Sequence, residues 1–207
     1  MLTKTPSWIP YLSRKSWFRL KGSGKVVYLT FDDGPVPGVT DWVLDQLKQF
    51  NARGSFFVLG KQVANHPELF QRIIDEGHAI GNHSYSHPNG WKTPFKEYVE
   101  NFAKAKAFVQ SSLARPPYGR ITWKQLRHLS KEHTMVFWDV LAGDFIPDIG
   151  SEKVVQRVCN NVRPGSIVVL HDSLKAESNL KGALPIILEK LQTLGYEFRA
   201  LPHPDSH

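Results

Sequence analysis

Two adjacent aspartates, Asp32 and Asp33, end an apolar, β-branched segment, VVYLTFDDGP at residues 26–35. Like charges at one place repel each other, so at least one of these carboxylates needs a cation, a hydrogen-bond donor or a proton. An Asp-Gly turn at the end of a strand would explain Asp33 and Gly34, but it gives no reason for Asp32. The pair therefore predicts a cationic partner elsewhere in the chain.

Two histidines, His83 and His87, lie four residues apart in the segment NHSYSH at 82–87. Two imidazoles and one carboxylate, with open positions for water, form the ligand set of a catalytic divalent metal ion. Zinc is the preferred ion, with cobalt, nickel or another first-row metal as alternatives. With Asp33 as the carboxylate, one such ion makes the neighbouring charges tolerable, and Asp32 can take a proton from water beside it. By itself, a pair of histidines at this spacing also arises by chance in polar loops.

Strand-like and helix-like segments alternate along the chain, and this alternation predicts an α/β fold with a parallel sheet covered by helices. Apolar residues at helical spacing identify the helices, and short apolar runs identify the strands. The predicted strands include KVVYLTF (25–31), GSFFVLG (54–60), TMVFWDV (134–140), GSIVVL (165–170) and YEFRAL (196–201). The predicted helices cover 40–50, 67–77, a long segment opening at Thr93, 122–132 with a capping box from Thr122 to Gln125, 151–162 and 184–195.

Polar residues follow the predicted strands at the point where each strand ends. In parallel sheets the carboxyl ends of the strands carry the βα loops, and ligands bind at that edge. We therefore expect one site that collects these side chains. They are Asp32 and Asp33 after the first strand, His83 and His87 after the short third strand HAIGN (78–82), Asp139 and Asp144 after TMVFW, and His171 and Asp172 after SIVVL.

Five segments, TFDDGP, HSYSH, RPPYG, WDVLAGDF and IVVLHD, resemble in this order the motifs of the polysaccharide deacetylases. This family is also called carbohydrate esterase family 4, or the NodB-homology domain, and the resemblance runs from Val26 to about Leu201. It implies a distorted, incomplete (β/α) barrel of the polysaccharide deacetylase type. It also implies metal-dependent removal of N-acetyl or O-acetyl groups from an amino-sugar polymer or oligomer, such as peptidoglycan, chitin oligomers or a glucosamine polysaccharide.

The resemblance also implies a role for each matching residue. Asp32 is similar to the general base of the family and His171 to the general acid. The metal ligands are implied to be Asp33, His83 and His87. Arg115 resembles the arginine that orients the base, Asp144 the carboxylate that tunes the acid, and the backbone N–H of Tyr118 the donor to the oxyanion.

The residues by themselves fit the same chemistry. Hydrolysis of an amide needs an activated water, stabilisation of the oxyanion and a proton for the leaving amine, and this edge offers all three. Taken alone, Arg115 also fits a plain surface cation, and His171 fits a histidine bound to local backbone at a strand end. Four aromatic residues near the motifs, Trp91, Tyr118, Trp138 and Phe145, are candidates for stacking on a sugar, although Trp138 equally fits core packing.

Two positions depart from the family pattern. Phe145 stands where tryptophan is usual, and Val169 stands where leucine is usual. Both are expected to alter the wall that meets the acetyl group or the sugar. They leave every proposed catalytic group in place, so they bear on substrate fit.

Composition limits the partners. The chain has 207 residues, 41% of them apolar, which suits one domain with a sizeable core. A net charge of +7 suits an anionic cell-wall polymer. Binding of nucleic acid is not expected, because the basic residues are spread out and no basic block is interleaved with aromatic residues. An acetylated carbohydrate is the expected partner, and we expect a monomer with an N-terminal arm at 1–22 and a catalytic domain at 23–207.

The sequence also suggests a location. No apolar run approaches the roughly 20 residues that cross a bilayer, and residues 1–25 lack the features of a signal peptide. The chain is therefore expected to be cytoplasmic on sequence alone, although the resembled family often acts at the cell envelope or outside the cell. The single cysteine, Cys159, allows no internal disulfide and does not decide the compartment.

Three other functions fit the sequence less well than deacetylation. A serine hydrolase has little support because no Gly-x-Ser-x-Gly segment is present. Phosphoester hydrolysis is weaker because no second set of ligands suggests a two-metal site. The remaining alternative is a catalytically silent carbohydrate-binding member of the same fold, which would be expected to lack Asp32 or His171.

Overall fold

The computed structural model describes residues 16–20 and 24–204 of the chain. The strands are β1 (Ser16–Trp17), β2 (Val26–Asp32), β3 (Ser55–Val58), β4 (Ala79–Asn82), β5 (Leu113–Ala114), β6 (Thr134–Val136), β7 (Val140–Leu141), β8 (Ile167–His171) and β9 (Glu197–Phe198). The helices are α1 (Thr40–Gln49), α2 (Gly60–Asn65), α3 (Pro67–Asp75), α4 (Phe95–Lys106), α5 (Trp123–Leu129), α6 (Ser151–Cys159) and α7 (Glu177–Thr193), with a 3-10 turn at Pro117–Gly119. Strands and helices alternate as the sequence predicts for an α/β fold.

The strands form one curled sheet in the order β1-β6-β5-β4-β3-β2-β8-β7, and β9 pairs with β2. Every ladder between these strands is parallel. Among the described strands, β1 and β7 end the order without pairing with each other, so the barrel is incomplete. The predicted fold class, a distorted and incomplete (β/α) barrel, is confirmed.

Side chains alternate along β2 between two buried environments. Leu29 and Phe31 pack in the large core between the sheet and its helices. Val26 and Tyr28 belong to a smaller apolar cluster that also holds Phe57 and Ile167. Continuing the alternation of Val26 and Tyr28, Thr30 and Asp32 lie on that same face. This face of β2 therefore changes from apolar to polar as the strand approaches its carboxyl end.

Some predicted elements differ from the structure. The segment predicted as one strand at 134–140 is two strands, β6 and β7, separated by Phe137–Asp139. Helix α7 begins at Glu177, before the predicted start at residue 184, and it contains Pro185. Its early turns bury Leu180 and Ala183, so tertiary packing stabilises the helix on the N-terminal side of this proline. The capping box from Thr122 to Gln125 is confirmed.

Part of the predicted N-terminal arm is integrated into the sheet. β1 pairs in parallel with β6, Arg19 forms an antiparallel bridge with Ser166, and Phe18 is buried against Phe137. Aromatic burial and strand pairing therefore hold residues 16–20 against the rest of the domain. Residues 1–15 and 21–23 lie outside the described residues, and the boundary between 22 and 23 stays a prediction.

No helix in the described part of the chain is long and apolar enough to cross a membrane.

Candidate active site

Three side chains with metal-ligating atoms converge at the carboxyl edge of the sheet. Asp33 directly follows β2, His83 follows β4, and His87 lies in the loop after His83. Their ligand atoms all lie within 4.8 Å of one another. Asp33 Oδ1 is 3.2 Å from His87 Nε2 and 3.7 Å from His83 Nε2. This is the two-histidine, one-carboxylate set that the sequence predicts, brought together by the order β2-β3-β4.

The donor set fits a divalent cation. Asp33 Oδ1 is buried and receives no hydrogen bond from the described residues. His83 Nδ1 lies 2.8 Å from the carbonyl oxygen of Arg115, which can only accept, so Nδ1 carries a hydrogen and Nε2 is the ring nitrogen on the side of Asp33. Burial and the neighbouring His83 lower the pKa of His87 to about 4, which keeps that imidazole neutral. A carboxylate oxygen and imidazole nitrogens are the ligands that zinc and similar ions prefer.

The backbone around this cluster is strained. Six residues other than glycine have positive φ angles in the described part of the chain, and four of them are Asp33 (85°), Ser84 (72°), His87 (62°) and Tyr118 (61°). Such conformations cost about 1–3 kcal/mol each and persist where the surrounding structure enforces them. Local hydrogen bonds enforce two of them here, from Ser84 N–H to Asn82 Oδ1 (2.8 Å) and from His87 N–H to Ser84 Oγ (3.1 Å).

Asp32 forms an ion pair with a fully buried arginine. Arg115 Nη1 donates to Asp32 Oδ1 at 2.6 Å and to Thr30 Oγ1 at 2.8 Å. Its remaining donors reach the carbonyls of Val136 and Phe137, both at 3.1 Å. Burial opposes ionisation of Asp32, but the charges of Arg115 and of nearby histidines outweigh it and lower the pKa of Asp32. Asp32 is therefore an ionised carboxylate with a fixed orientation, and Arg115 is not a surface cation.

His171 is held by a second carboxylate. Asp144 accepts two hydrogen bonds from it, one from the backbone N–H at 2.7 Å and one from Nδ1 at 2.9 Å. Asp144 is fully buried, whereas the side chain of His171 is 14% exposed. Burial disfavours the imidazolium, but Asp144 outweighs it, with smaller contributions from Asp32 and Asp33, and raises the pKa of His171 to about 9. At neutral pH His171 is a cation whose free Nε2 can donate a proton.

The base candidate and the acid candidate lie on neighbouring strands. Asp32 and His171 are Cα partners in the parallel register between β2 and β8. The next residue, Asp172, donates its backbone N–H to the carbonyl of Asp32 at 3.1 Å. A carboxylate and an imidazolium therefore flank the same short stretch of the sheet edge, next to the Asp33–His83–His87 cluster.

The remaining predicted residues surround this centre. Tyr118 lies in the 3-10 turn after Arg115, and its ring meets His87 edge-on at 4.4 Å between centroids. Phe145 meets the His171 ring in the same manner at 4.8 Å. Val169 is buried, and alternation along β8 places it on the same face as His171. Both departures from the family pattern therefore lie on the side of the sheet that carries the acid candidate.

One predicted member of this edge lies elsewhere. Asp139 was expected beside Asp144, but it precedes β7 and its N–H donates to the carbonyl of Ile167, the first residue of β8. Its carboxylate accepts from Arg163 at 2.8 and 3.0 Å and from Ser166 at 2.7 Å. The segment Phe137–Asp139 interrupts the strand between β6 and β7 and places Asp139 at the amino end of β8. The role of Asp139 is therefore structural.

The sequence assigns no role to Asp172, but the structure does. Its carboxylate accepts from Thr40 Oγ1 at 2.6 Å and from the N–H of Gly34 at 3.2 Å. Burial raises the pKa of Asp172 to about 8. A Cβ at Gly34 would overlap this carboxylate, so glycine is required there. Asp172 thus holds the turn that carries Asp33, and its position next to His171 was the only sequence signal.

Known proteins resemble this chain over most of its length. The family model described as polysaccharide deacetylase matches residues 19–138. A peptidoglycan-N-acetylglucosamine deacetylase of Bacillus cereus is 36% identical over 186 residues, which cover 85% of this chain and 66% of that protein. A chitooligosaccharide deacetylase of Bradyrhizobium sp. is 33% identical over 208 residues, which cover 91% of this chain and 94% of that protein. The chain thus spans just under two thirds of the first relative and nearly all of the second.

Solved structures share the fold. The crystal structure of the Bc1960 peptidoglycan N-acetylglucosamine deacetylase, in complex with a naphthyl-substituted N-hydroxybenzamide, matches with a TM-score of 0.86 and 34% identity, covering 96% of this chain and 95% of that one. A more distant match is BA3943 of Bacillus anthracis, described as a CE4 family pseudoenzyme, with a TM-score of 0.75 and 25% identity, covering 87% of this chain and 65% of that one.

Proposed function

The chain belongs to the polysaccharide deacetylase family, and we propose that it is a metal-dependent hydrolase that removes N-acetyl groups from an amino-sugar polymer or oligomer. The observation that carries this proposal is the pairing of an ionised carboxylate, Asp32, with a protonated imidazole, His171, beside a cluster that fits a cation. Removal of O-acetyl groups would use the same arrangement. Residues 23–207 are proposed as the catalytic domain.

The metal centre is proposed to be Asp33, His83 and His87. A divalent ion bound there, zinc by preference, would act as a Lewis acid on the acetamide carbonyl and would make water a stronger acid. The strained backbone at Asp33 and His87 and the hydrogen bond from His83 to Arg115 support a set of ligands held in place before the ion binds.

Asp32 is proposed as the general base. Its Oδ1 is occupied by Arg115, which leaves Oδ2 to take the proton of the attacking water. Arg115 keeps Asp32 ionised and fixes its rotamer, and it is itself held by Thr30 and two backbone carbonyls. Arg115 is therefore a positioning residue.

His171 is proposed as the general acid. Attack on the acetamide carbon gives a tetrahedral oxyanion, and expulsion of the amine requires a proton on nitrogen. His171 Nε2 supplies that proton, because Asp144 holds Nδ1 and favours the charged ring. The backbone N–H of Tyr118 is proposed as a donor to the oxyanion, since the 3-10 turn places this residue against His87.

The substrate is proposed to be an acetylated glycan such as peptidoglycan or chitin oligomers, in line with the names of the two relatives. Action at the cell envelope would follow for a peptidoglycan substrate. The alternative, a catalytically silent member that binds carbohydrate, has a precedent in the pseudoenzyme BA3943. Asp32 and His171 are both present with their partners, which favours turnover.

The proposal is tested by measuring acetate release from N-acetylglucosamine oligomers and from glycan strands of peptidoglycan, with mass spectrometry of the products. We expect release that depends on a divalent ion and that falls sharply in the Asp32→Asn variant. A folded, metal-loaded protein that binds these glycans but releases no acetate would establish the silent alternative.

A further inference from the structure

Three exposed side chains form a surface beside the proposed metal centre. The indole of Trp91 is 65% exposed and the side chain of Tyr118 is 56% exposed. The guanidinium of Arg120 lies over both rings, 5.2 Å from the Trp91 ring centroid and 6.0 Å from the Tyr118 ring centroid. We call Trp91, Tyr118 and Arg120 the aromatic–arginine surface.

This surface is rigid although it is exposed. The indole N–H of Trp91 donates to the carbonyl of Ile121 at 3.3 Å. The buried Gln125 donates to the carbonyls of Gly90 at 2.9 Å and of Thr93 at 3.2 Å, on either side of Trp91. Gly90 lies so close to the Arg120 carbonyl that a Cβ would not fit. Two loops are therefore fixed to each other, and a large aromatic face is held in water in one orientation, which lowers the entropy cost of binding a ligand.

The surface adjoins the place where the acetyl group would be cleaved. The ring of Tyr118 contacts His87, and His87 Nε2 is 3.2 Å from Asp33 Oδ1. Trp91 follows His87 in the same loop. When one sugar of a glycan lies at the metal centre, the neighbouring sugar of the same glycan therefore lies at this surface.

No carboxylate among the described residues neutralises the charge of this surface. Arg120 makes no ion pair with any residue among 16–20 and 24–204. Residues 101–131 contain no aspartate or glutamate, whereas seven lysines and arginines occur there, at 104, 106, 115, 120, 124, 127 and 131. An arginine held over aromatic rings presents donors that match a carboxylate. The expected ligand therefore combines an apolar ring face with a negative charge.

We infer that the aromatic–arginine surface binds a sugar residue that carries a carboxylate, next to the N-acetyl sugar at the metal centre. The C–H face of the sugar ring stacks on Trp91, and Arg120 pairs with the carboxylate. In peptidoglycan the lactyl ether of muramic acid supplies such a group, whereas chitin oligomers have none. This inference rests on the proposed function. The aromatic–arginine surface would favour acidic over neutral glycans at that same site.

The test compares two substrates and three variants. The substrates are peptide-free glycan strands of alternating N-acetylglucosamine and N-acetylmuramic acid, and the same strands with each carboxylate converted to its methyl amide. The variants are Arg120→Gln, Trp91→Ala and, as a matched control for charge, Arg127→Gln, an exposed arginine on α5 outside the surface. Circular dichroism and thermal melting check that each variant folds.

Arg120→Gln is expected to raise KM for the acidic strands by about 3- to 10-fold with kcat nearly unchanged, and to leave KM for the amidated strands unaltered. Trp91→Ala is expected to raise KM for both substrates, and Arg127→Gln for neither. Added salt should raise KM of the parent protein only for the acidic strands. Equal effects of Arg120→Gln and Arg127→Gln, or equal effects of Arg120→Gln on both substrates, would overturn the inference.

A binding measurement separates this inference from the proposed function. Calorimetric titration of the Asp32→Asn variant with both kinds of strand reads the preference for the carboxylate without turnover. If that preference exists and depends on Arg120, the inference stands even if the parent protein releases no acetate. If acetate is released but no preference is measured, the inference fails and the proposed function stands.

Discussion

Asp32 and His171 are direct partners in the register between β2 and β8, and they carry opposite charges at neutral pH. Each charge is set by a buried residue behind it, Arg115 for Asp32 and Asp144 for His171. In the proposed mechanism, these charges make Asp32 the proton acceptor and His171 the proton donor before any substrate binds.

The Asp33–His83–His87 cluster is expected to bind one divalent ion per chain. His87→Ala should lower metal content strongly, because it removes one of three ligands, whereas His128→Ala, an exposed histidine on α5, should leave it unchanged. Metal analysis after dialysis checks this. Chelation should abolish acetate release and added zinc should restore it; full activity of a metal-free preparation would rule out this mechanism.

Asp32→Asn is expected to keep the fold and the metal while lowering kcat by roughly 10²- to 10⁴-fold, the usual effect of a positioned acid or base. The asparagine retains an oxygen that can accept from Arg115 but cannot take a proton at neutral pH. Metal content and kcat are measured on the same preparation. If Asp32→Asn loses its metal and Asp33→Asn retains it, the two roles are reversed.

Asp144→Asn is expected to shift the alkaline limb of the pH–rate profile to lower pH. Asp144 raises the pKa of His171 to about 9, so His171 is protonated below that pH and loses its proton above it. Without this carboxylate the pKa falls toward the ordinary value of about 6.5. Activity at neutral pH falls with it, more on an N-acetyl sugar than on an aryl acetate whose leaving group needs no proton.

The control for this experiment is Asp148→Asn, an exposed aspartate in the same loop that should leave the profile unchanged. Equal losses on the two substrates, with an unmoved alkaline limb, would show that His171 is not the acid partnered by Asp144.

Arg115→Gln is expected to destabilise the fold by about 3–5 kcal/mol, because Asp32 would become a buried charge without its partner. Arg199→Gln, which removes an exposed ion pair with Glu197, should cost at most about 1 kcal/mol. Urea unfolding of both variants near pH 7 compares them. Similar midpoints for the two variants would mean that the Arg115–Asp32 pair does not stabilise the fold.

Local sequence patterns predict much of the fold and many residues of the candidate site. The alternation of apolar runs predicts the parallel α/β fold, and the five ordered motifs predict the barrel type and the residues of its edge. The Asp33–His83–His87 set was predicted from residue chemistry, because metal ligands belong to few residue types and the carboxyl ends of parallel strands meet at one edge. These properties depend on residue type and short spacing, which the sequence records directly.

Contacts between distant segments were decided by the tertiary structure. Arg115 reaches Asp32 across 83 positions of sequence, and only the register of the sheet shows that it is buried rather than exposed. The irregular segment between β6 and β7 places Asp139 at the opposite end of the sheet. Asp172 is held by a hydrogen bond from Thr40, which lies 132 positions away in the sequence. The sequence by itself determined which groups are available for chemistry. The packing of strands and loops decided their charges and orientations, because burial and partner distance set the pKa of each group.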